Sequence, residues 1–503
     1  MILNERTQTQ VRRADRSPHG HRYLGIAWGI PLLMRATKIV ATLGPASDSS
    51  AVIRKLIDAG VDVFRLNASH GTPERHVRAI SRVREAGKET GRHKGILLDL
   101  QGPKIRLGKF EGGKCELESG SRFVLTTDEV MGNSQRASTT YKELPSDVRP
   151  GNRILLADGA VELRVASAST TDVICEVVSG GWIGDRKGIN LPGVSVSAPS
   201  LTKKDLEDVR WGLDAGADMV ALSFVRTPED LVRLRSHLDT RGVPVPVIAK
   251  IEKPEAWTNL DGILNAADGV MVARGDLGVE MALEEVPQIQ KTIIRKAREQ
   301  SKFVITATQM LESMIENPTP TRAEVSDVAN AIYDGTDAVM LSAETSAGKY
   351  PVEAVAMMAR IASTTQYSAE SKFSAIRPTQ AEIVAEASEQ AARAAEARAI
   401  VVFTQTGATA RLISRYRPAV PVVAFTPFEQ VARQLTVVSG VFPIVAPLMA
   451  STDEMIALMD RLAIEDGRLR SGDPVVFVAG QPIGRPGSTN MMILHRIGAT
   501  LAG

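Results

Sequence analysis

Only two cysteines, Cys115 and Cys175, occur in 503 residues, with no CxxC and no paired spacing. That scarcity excludes a disulfide framework and points to a reducing, cytoplasmic setting. Net charge is nearly absent too: 60 Lys and Arg face 58 Asp and Glu, a formal balance of +2. No general attraction to nucleic acid or to an anionic membrane follows from it. The apolar stretch near the start, "YLGIAWGIPLLM" (Tyr23–Met34), is too short to span a bilayer, and no small-residue cleavage site follows it. Residues 1–33 are therefore expected to be a disordered extension, or Met34 to be the natural start. Heptads, tandem repeats and low-complexity tracts are missing, and so are GxxxxGK[ST] and the kinase-type GxGxxG. A nucleotide, if bound, must be held in another way.

What is present is an ordinary globular composition, 44% hydrophobic and 23% charged, in a chain long enough for several domains. From Lys38 onward, short apolar runs alternate with stretches of helical periodicity such as "DSSAVIRKLIDAG". The runs "KIVATLG", "VDVFRLN", "GILLDL", "DMVALSF", "VPVIAKI", "DGVMVAR", "FVITAT" and "DAVMLS" predict eight parallel strands. Eight such units imply an α/β fold of the (β/α)₈ TIM-barrel type, with its active site at the carboxyl ends of the strands. Residues 34–101 and 200–368 form its two parts. Between them, residues 102–199 are rich in Gly, Thr, Ser and Val, with alternating runs such as "RFVLTT" and "DVICEVV". They predict a small antiparallel β domain inserted at the barrel mouth as a lid. Residues 369–503 return to an α/β pattern and predict an open-sheet domain.

Polar residues at several strand ends should converge at that mouth. They are Arg65, Asn67, Ser69 and His70, then Asp99, Lys104 and Arg106, then Lys250 and Glu252, Arg274 and Asp276, Thr308, and Ser342 with Glu344. Side chains alternate along a strand, so Lys250 and Glu252 should both face inward while Ile251 packs outward. Glu252 and Asp276 are hard oxygen ligands suited to Mg²⁺ or Mn²⁺, with water and substrate oxygens completing the shell. Arg65, Arg106 and Lys250 suit phosphate and carboxylate. The "RGDLGVE" turn opens toward a helix and offers backbone N–H groups to an anionic oxygen. Fixed cations, a divalent ion and few general bases point to phosphoryl transfer.

These motifs closely resemble the pyruvate kinase family. The resemblance runs from about Arg35 to the end, through "TLGPAS", "FRLNASHG", "QGPKIR", "LTKKD", "IAKIEKPE", "MVARGDLGVE", "SRYRP" and the long block from Ala307 to Ser342. It implies phosphoryl transfer from phosphoenolpyruvate to ADP, giving pyruvate and ATP, by a cytoplasmic homotetramer of glycolysis. It implies Lys250 as the cation on the transferring phosphoryl group, and Glu252 and Asp276 as Mg²⁺ ligands. It implies Arg65 and Arg106 as phosphate contacts, and Thr308 near the substrate carboxylate and the enolate proton. The backbone of Gly275 and Asp276 would receive that carboxylate. His70, Arg106 and Lys204 fall on the nucleotide side.

Two departures from the family pattern carry further expectations. The K⁺ ligands of the family map to Asn67, Ser69, Asp99 and the Leu100 carbonyl. Lys104 stands where K⁺-requiring members carry glutamate, so its ammonium would supply the missing charge. K⁺ is then an optional rather than a required cofactor. "TQTGATAR" matches the loop that holds an effector phosphate, through Thr404, Thr406 and Thr409. Gln405 stands where members activated by fructose 1,6-bisphosphate often have a lysine, so the expected effector is a mono-phosphorylated sugar or nucleotide. The competing readings are a Mg²⁺-dependent barrel lyase or aldolase acting on pyruvate enolate, and a catalytically silent metabolite sensor.

Overall fold

The structure, a computed structural model, describes residues 35–238, 243–365, 378–483, 485 and 487–499. The extension expected over residues 1–33 lies outside them. Strands Lys38–Thr42, Val63–Asn67, Gly95–Asp99, Met219–Leu222, Val247–Ile251, Gly269–Ala273, Phe303–Ala307 and Ala338–Leu341 close into one parallel barrel, the first pairing with the last. All eight predicted runs are there, with Arg65 and Asn67 inside Val63–Asn67, Asp99 ending Gly95–Asp99, Lys250 inside Val247–Ile251 and Glu252 just beyond it. Alternation sorts their side chains. Ala249 and Ile251 join the layer between strands and helices, whereas Ile248 and Met271 fill the barrel interior. Lys250 and Glu252 share the parity of Ile248 and so point inward. The surrounding helices follow from local chemistry. Ser50–Ala59, for example, is capped by the Ser49 hydroxyl, buries Ile53, Leu56 and Ile57, and stops at Gly60 with φ 118°.

The segment after Asp99 forms a six-stranded sheet, in spatial order Ile189–Asn190, Arg153–Leu156, Val161–Ala168, Asp172–Ser179, Arg122–Thr126 and Arg136–Ser138. A two-stranded ribbon, Lys114–Leu117 with Gly181–Gly184, lies beside it. Phe123, Leu163, Val173 and Cys175 are among its buried core. Its pairing is not wholly antiparallel as the sequence suggested: Arg122–Thr126 runs parallel to Arg136–Ser138. The loop between them carries the chain back along the strand before it pairs, which alternation alone does not disclose. The C-terminal sheet has five strands, Val441–Val445, Val422–Thr426, Ala399–Phe403, Pro474–Gly480 and Thr489–Arg496. The last is antiparallel.

Below the barrel, at the amino ends of its strands, the interior core continues into this C-terminal sheet. Buried charges mark the junction. The Asp218 carboxylate accepts from Arg84 at 2.6 Å, Arg433 at 2.8 Å and the Ile96 N–H at 2.8 Å. Asp337 accepts from the Val304 and Ser439 N–H groups and pairs with Arg417 at 3.0 Å. Lys38 Nζ donates to the Val441 carbonyl at 2.7 Å.

Candidate active site

At the opposite end, Lys250 is 9% exposed and its ammonium is surrounded by oxygens. Nζ lies 2.7 Å from Ser223 Oγ, 2.8 Å from Glu252 Oε1 and 3.3 Å from Asp99 Oδ1. Burial alone would strip its proton, but the charges of Asp99 and Glu252 outweigh burial and hold it firmly protonated. Arg65, from the second strand, places Nε and Nη2 at 2.7 and 2.6 Å from Asp99 Oδ2 and Nη1 at 3.0 Å from Thr42 Oγ1. Against the cost of burial, Lys250 and Arg65 keep the Asp99 carboxyl below its ordinary range. Glu252 is 1% exposed, and its Oε2 accepts the Phe224 N–H at 2.8 Å. There burial wins over Lys250, the charge of Asp276 adds to it, and the carboxyl is pushed up.

Asp276 stands in the first turn of the helix Arg274–Glu280, half-buried. The "RGDLGVE" segment is thus itself helical rather than a turn leading into a helix. Among the described residues no cluster of three or more His, Cys, Asp or Glu could enclose a metal ion. The carboxylates of Glu252 and Asp276 are hard oxygen donors of the kind a divalent ion takes, with water and substrate oxygens completing its shell. Thr308 takes φ 68°, a left-handed conformation costly for a β-branched residue. Its Oγ1 donates to the Ala307 carbonyl at 2.6 Å and accepts the Gly275 N–H at 2.7 Å. The Arg274 guanidinium braces this bend, reaching the Thr308 carbonyl at 2.8 Å and Asp327 at 2.7 Å.

Two of the predicted K⁺ ligands each accept one hydrogen bond from the protein. Asn67 Oδ1 accepts the Ser69 N–H at 3.1 Å, and the Leu100 carbonyl accepts Ser223 Oγ at 2.7 Å. Lys104 is half-buried and lines a cleft between barrel and inserted domain, together with Asp158, Asn190, Phe224, Lys253 and Asp276. His70, Arg106 and Lys204 do not line that cleft. The His70 ring is exposed, and partial burial with Lys104, Arg106 and Arg65 depresses its pKa. Arg106 Nη1 donates to the Arg186 carbonyl at 2.9 Å, within the inserted domain. Lys204 Nζ is held by the Ala68 carbonyl at 2.9 Å and Asp208 at 2.6 Å. Ser342 and Glu344 stay structural: the buried Glu344 carboxylate accepts the Leu311 and Ser342 N–H groups.

In the C-terminal domain Thr404, Thr406 and Thr409 share one recess with Arg485 and Ser488. Thr404 Oγ1 accepts the Gly407 N–H at 3.0 Å, and the Thr409 hydroxyl lies 2.7 Å from that of Thr489. Sequence reasoning missed Ser223, which joins Lys250 to Asp99 and Leu100, and the Lys253–Glu280 pair at 2.6 Å. Ser223 sits at a strand end like the residues singled out, but carries no charge to draw notice.

A parallel barrel whose mouth holds a protonated lysine between two carboxylates, with an arginine and a third acid beside it, has the make-up of a barrel phosphotransferase. Comparison with known proteins makes this specific. A family model for the pyruvate kinase barrel domain matches residues 34–355, and one for the pyruvate kinase alpha/beta domain matches 382–495. A pyruvate kinase of Mycobacterium tuberculosis is 49% identical over 93% of this chain and 99% of its own. One from Corynebacterium glutamicum is 48% identical over 92% and 98%. The crystal structure of a pyruvate kinase from Cryptosporidium parvum superposes with a TM-score of 0.86 at 37% identity, covering 93% of this chain and 97% of that one. The chain belongs to the pyruvate kinase family. The lyase and silent-sensor readings gain no support from these matches. Among the described residues no helix is long and apolar enough to cross a membrane.

Proposed function

We propose that the barrel mouth moves the phosphoryl group of phosphoenolpyruvate to ADP, with Lys250 at the centre of the transfer. The observation that carries this is the inward-facing ammonium of Lys250, held protonated 2.8 Å from Glu252 with Asp276 on the adjoining helix. The phosphorus–oxygen bond to the enolate breaks and one to a terminal ADP oxygen forms. Lys250 neutralises the phosphoryl oxygens in flight, and Arg65 and Arg106 hold phosphate. Mg²⁺ or Mn²⁺, held by Glu252 and Asp276, would supply further neutralisation when bound. The substrate carboxylate takes the N–H groups of Gly275 and Asp276, so the Thr308 hydroxyl must first release the Gly275 N–H it now accepts. The freed hydroxyl then stands near the enolate, whose methylene carbon takes a proton from solvent water to complete pyruvate, the hydroxide returning to bulk.

The Lys104 ammonium in the cleft supports turnover without K⁺. Residues 102–199 serve as the lid and 369–503 as the regulatory domain of a cytoplasmic homotetramer. The recess at Thr404, Thr406 and Thr409 takes a mono-phosphorylated effector, and His70 and Lys204 lie on the nucleotide side. The test is a coupled assay with phosphoenolpyruvate, ADP and Mg²⁺, with and without K⁺. Pyruvate should form only with ADP present, and kcat/KM should fall by less than about tenfold (about 1.4 kcal/mol) without K⁺. No ADP-dependent pyruvate would overturn the reading. A larger K⁺ effect would remove Lys104 from the role given it.

A further inference from the structure

Glu280 ends the helix whose first turn holds Asp276, four residues on and therefore on the same face. Its side chain is 1% exposed. Oε1 accepts Lys253 Nζ at 2.6 Å and Asn190 Nδ2 at 3.2 Å, while Oε2 is buried without a hydrogen-bond partner. Lys253 directly follows Glu252, and its side chain is only 12% exposed. Its ammonium lies 5.8 Å from the centre of the Phe224 ring, the residue whose N–H holds Glu252 Oε2. Asn190 comes from the inserted domain, on the strand Ile189–Asn190 that pairs with Arg153–Leu156. One carboxylate thus joins the loop bearing Glu252, the helix bearing Asp276 and the inserted domain.

Stability alone is a poor account of this group. A buried ion pair is often no better than apolar side chains of the same volume, and an unpartnered buried oxygen is costly. What the three residues do achieve is to tie the loop bearing Glu252 to the helix bearing Asp276 and to the inserted domain. We propose that Asn190, Lys253 and Glu280 form a latch that sets the separation of Glu252 and Asp276 and makes it depend on how the inserted domain is seated. They are positioning residues, and the proposal rests on reading Glu252 and Asp276 as metal ligands.

The experiment is direct titration of the full chain with Mn²⁺, following free Mn²⁺ by electron paramagnetic resonance, with unfolding midpoints measured alongside. Glu280→Gln and Lys253→Met should each weaken Mn²⁺ binding about tenfold or more, in line with the loss of partners that orient metal ligands. Lys253→Arg should restore most of it. Asn190→Ala should weaken Mn²⁺ binding less, and should lower kcat while leaving KM for phosphoenolpyruvate in place. Lowered unfolding midpoints with Mn²⁺ affinity unchanged in Glu280→Gln and Lys253→Met would overturn the latch. Asp276→Asn separates the two claims. If it abolishes Mn²⁺ binding while the latch variants do not alter it, only the latch falls; if it leaves binding intact, the ligand assignment itself fails.

Discussion

The two ends of the same barrel strands use the same residue types for opposite purposes. Asp218 and Ser223 flank one strand, Met219–Leu222. At the floor, Asp218 is saturated by two arginines and a backbone N–H, and every one of these partners belongs to the protein. At the mouth, Ser223 accepts from a lysine that two carboxylates also flank. The two lysines sharpen the contrast. Lys38, at the floor, faces a carbonyl and the Phe442 ring at 4.1 Å, and burial, only partly countered by Asp62, pulls its pKa down to about 8. Lys250, equally buried, keeps its proton because two carboxylates flank it. The floor lysine is left to burial beside one carbonyl, whereas the mouth lysine is held charged by two acids.

Breaking the floor should cost stability and spare turnover. Asp218→Ala leaves Arg84 and Arg433 without their shared carboxylate, and should lose about 4 kcal/mol in denaturant unfolding. Its kcat should stay close to wild type; a large fall would mean that the floor feeds the chemistry. Breaking a support at the mouth should do the reverse. Ser223→Ala removes the 2.7 Å hydrogen bond to Lys250 and should lower kcat/KM about tenfold, about 1.4 kcal/mol, with a small change in unfolding. Steady-state kinetics decides this, and an unchanged rate would make Ser223 a bystander.

The smallest effect concerns pH. The folded pKa of Lys38, about 8, lies below the ordinary 10.5, so between these values the unfolded chain keeps a proton that the folded one has released. Wild-type stability relative to Lys38→Met should therefore rise as pH increases from about 8 to 10.5. Parallel unfolding curves across that window check it, and a flat or falling difference would contradict the burial described.

Much of this was legible in the sequence, for identifiable reasons. A strand buried on both faces must be apolar throughout, so the eight barrel runs stand out, and their polar ends mark the mouth. Alternation then aims Lys250 and Glu252 inward without any knowledge of their neighbours. Features built from two distant segments were not legible. The Lys253–Glu280–Asn190 contact joins two barrel segments and one strand of the inserted domain. The left-handed turn at Thr308 is set by Arg274 and Gly275 rather than by local preference. The edge strand Thr489–Arg496 alternates buried and exposed residues but follows a loop that hides its start. The nucleotide residues His70, Arg106 and Lys204 rest on resemblance alone.

The most direct test is a single substitution made at both ends of the barrel, Lys250→Met and Lys38→Met, with kcat measured for each. Lys250→Met should lose roughly 10³-fold or more, about 4 kcal/mol, while Lys38→Met keeps its turnover. A change of only a fewfold in Lys250→Met, or an equal loss in the two variants, would contradict the account.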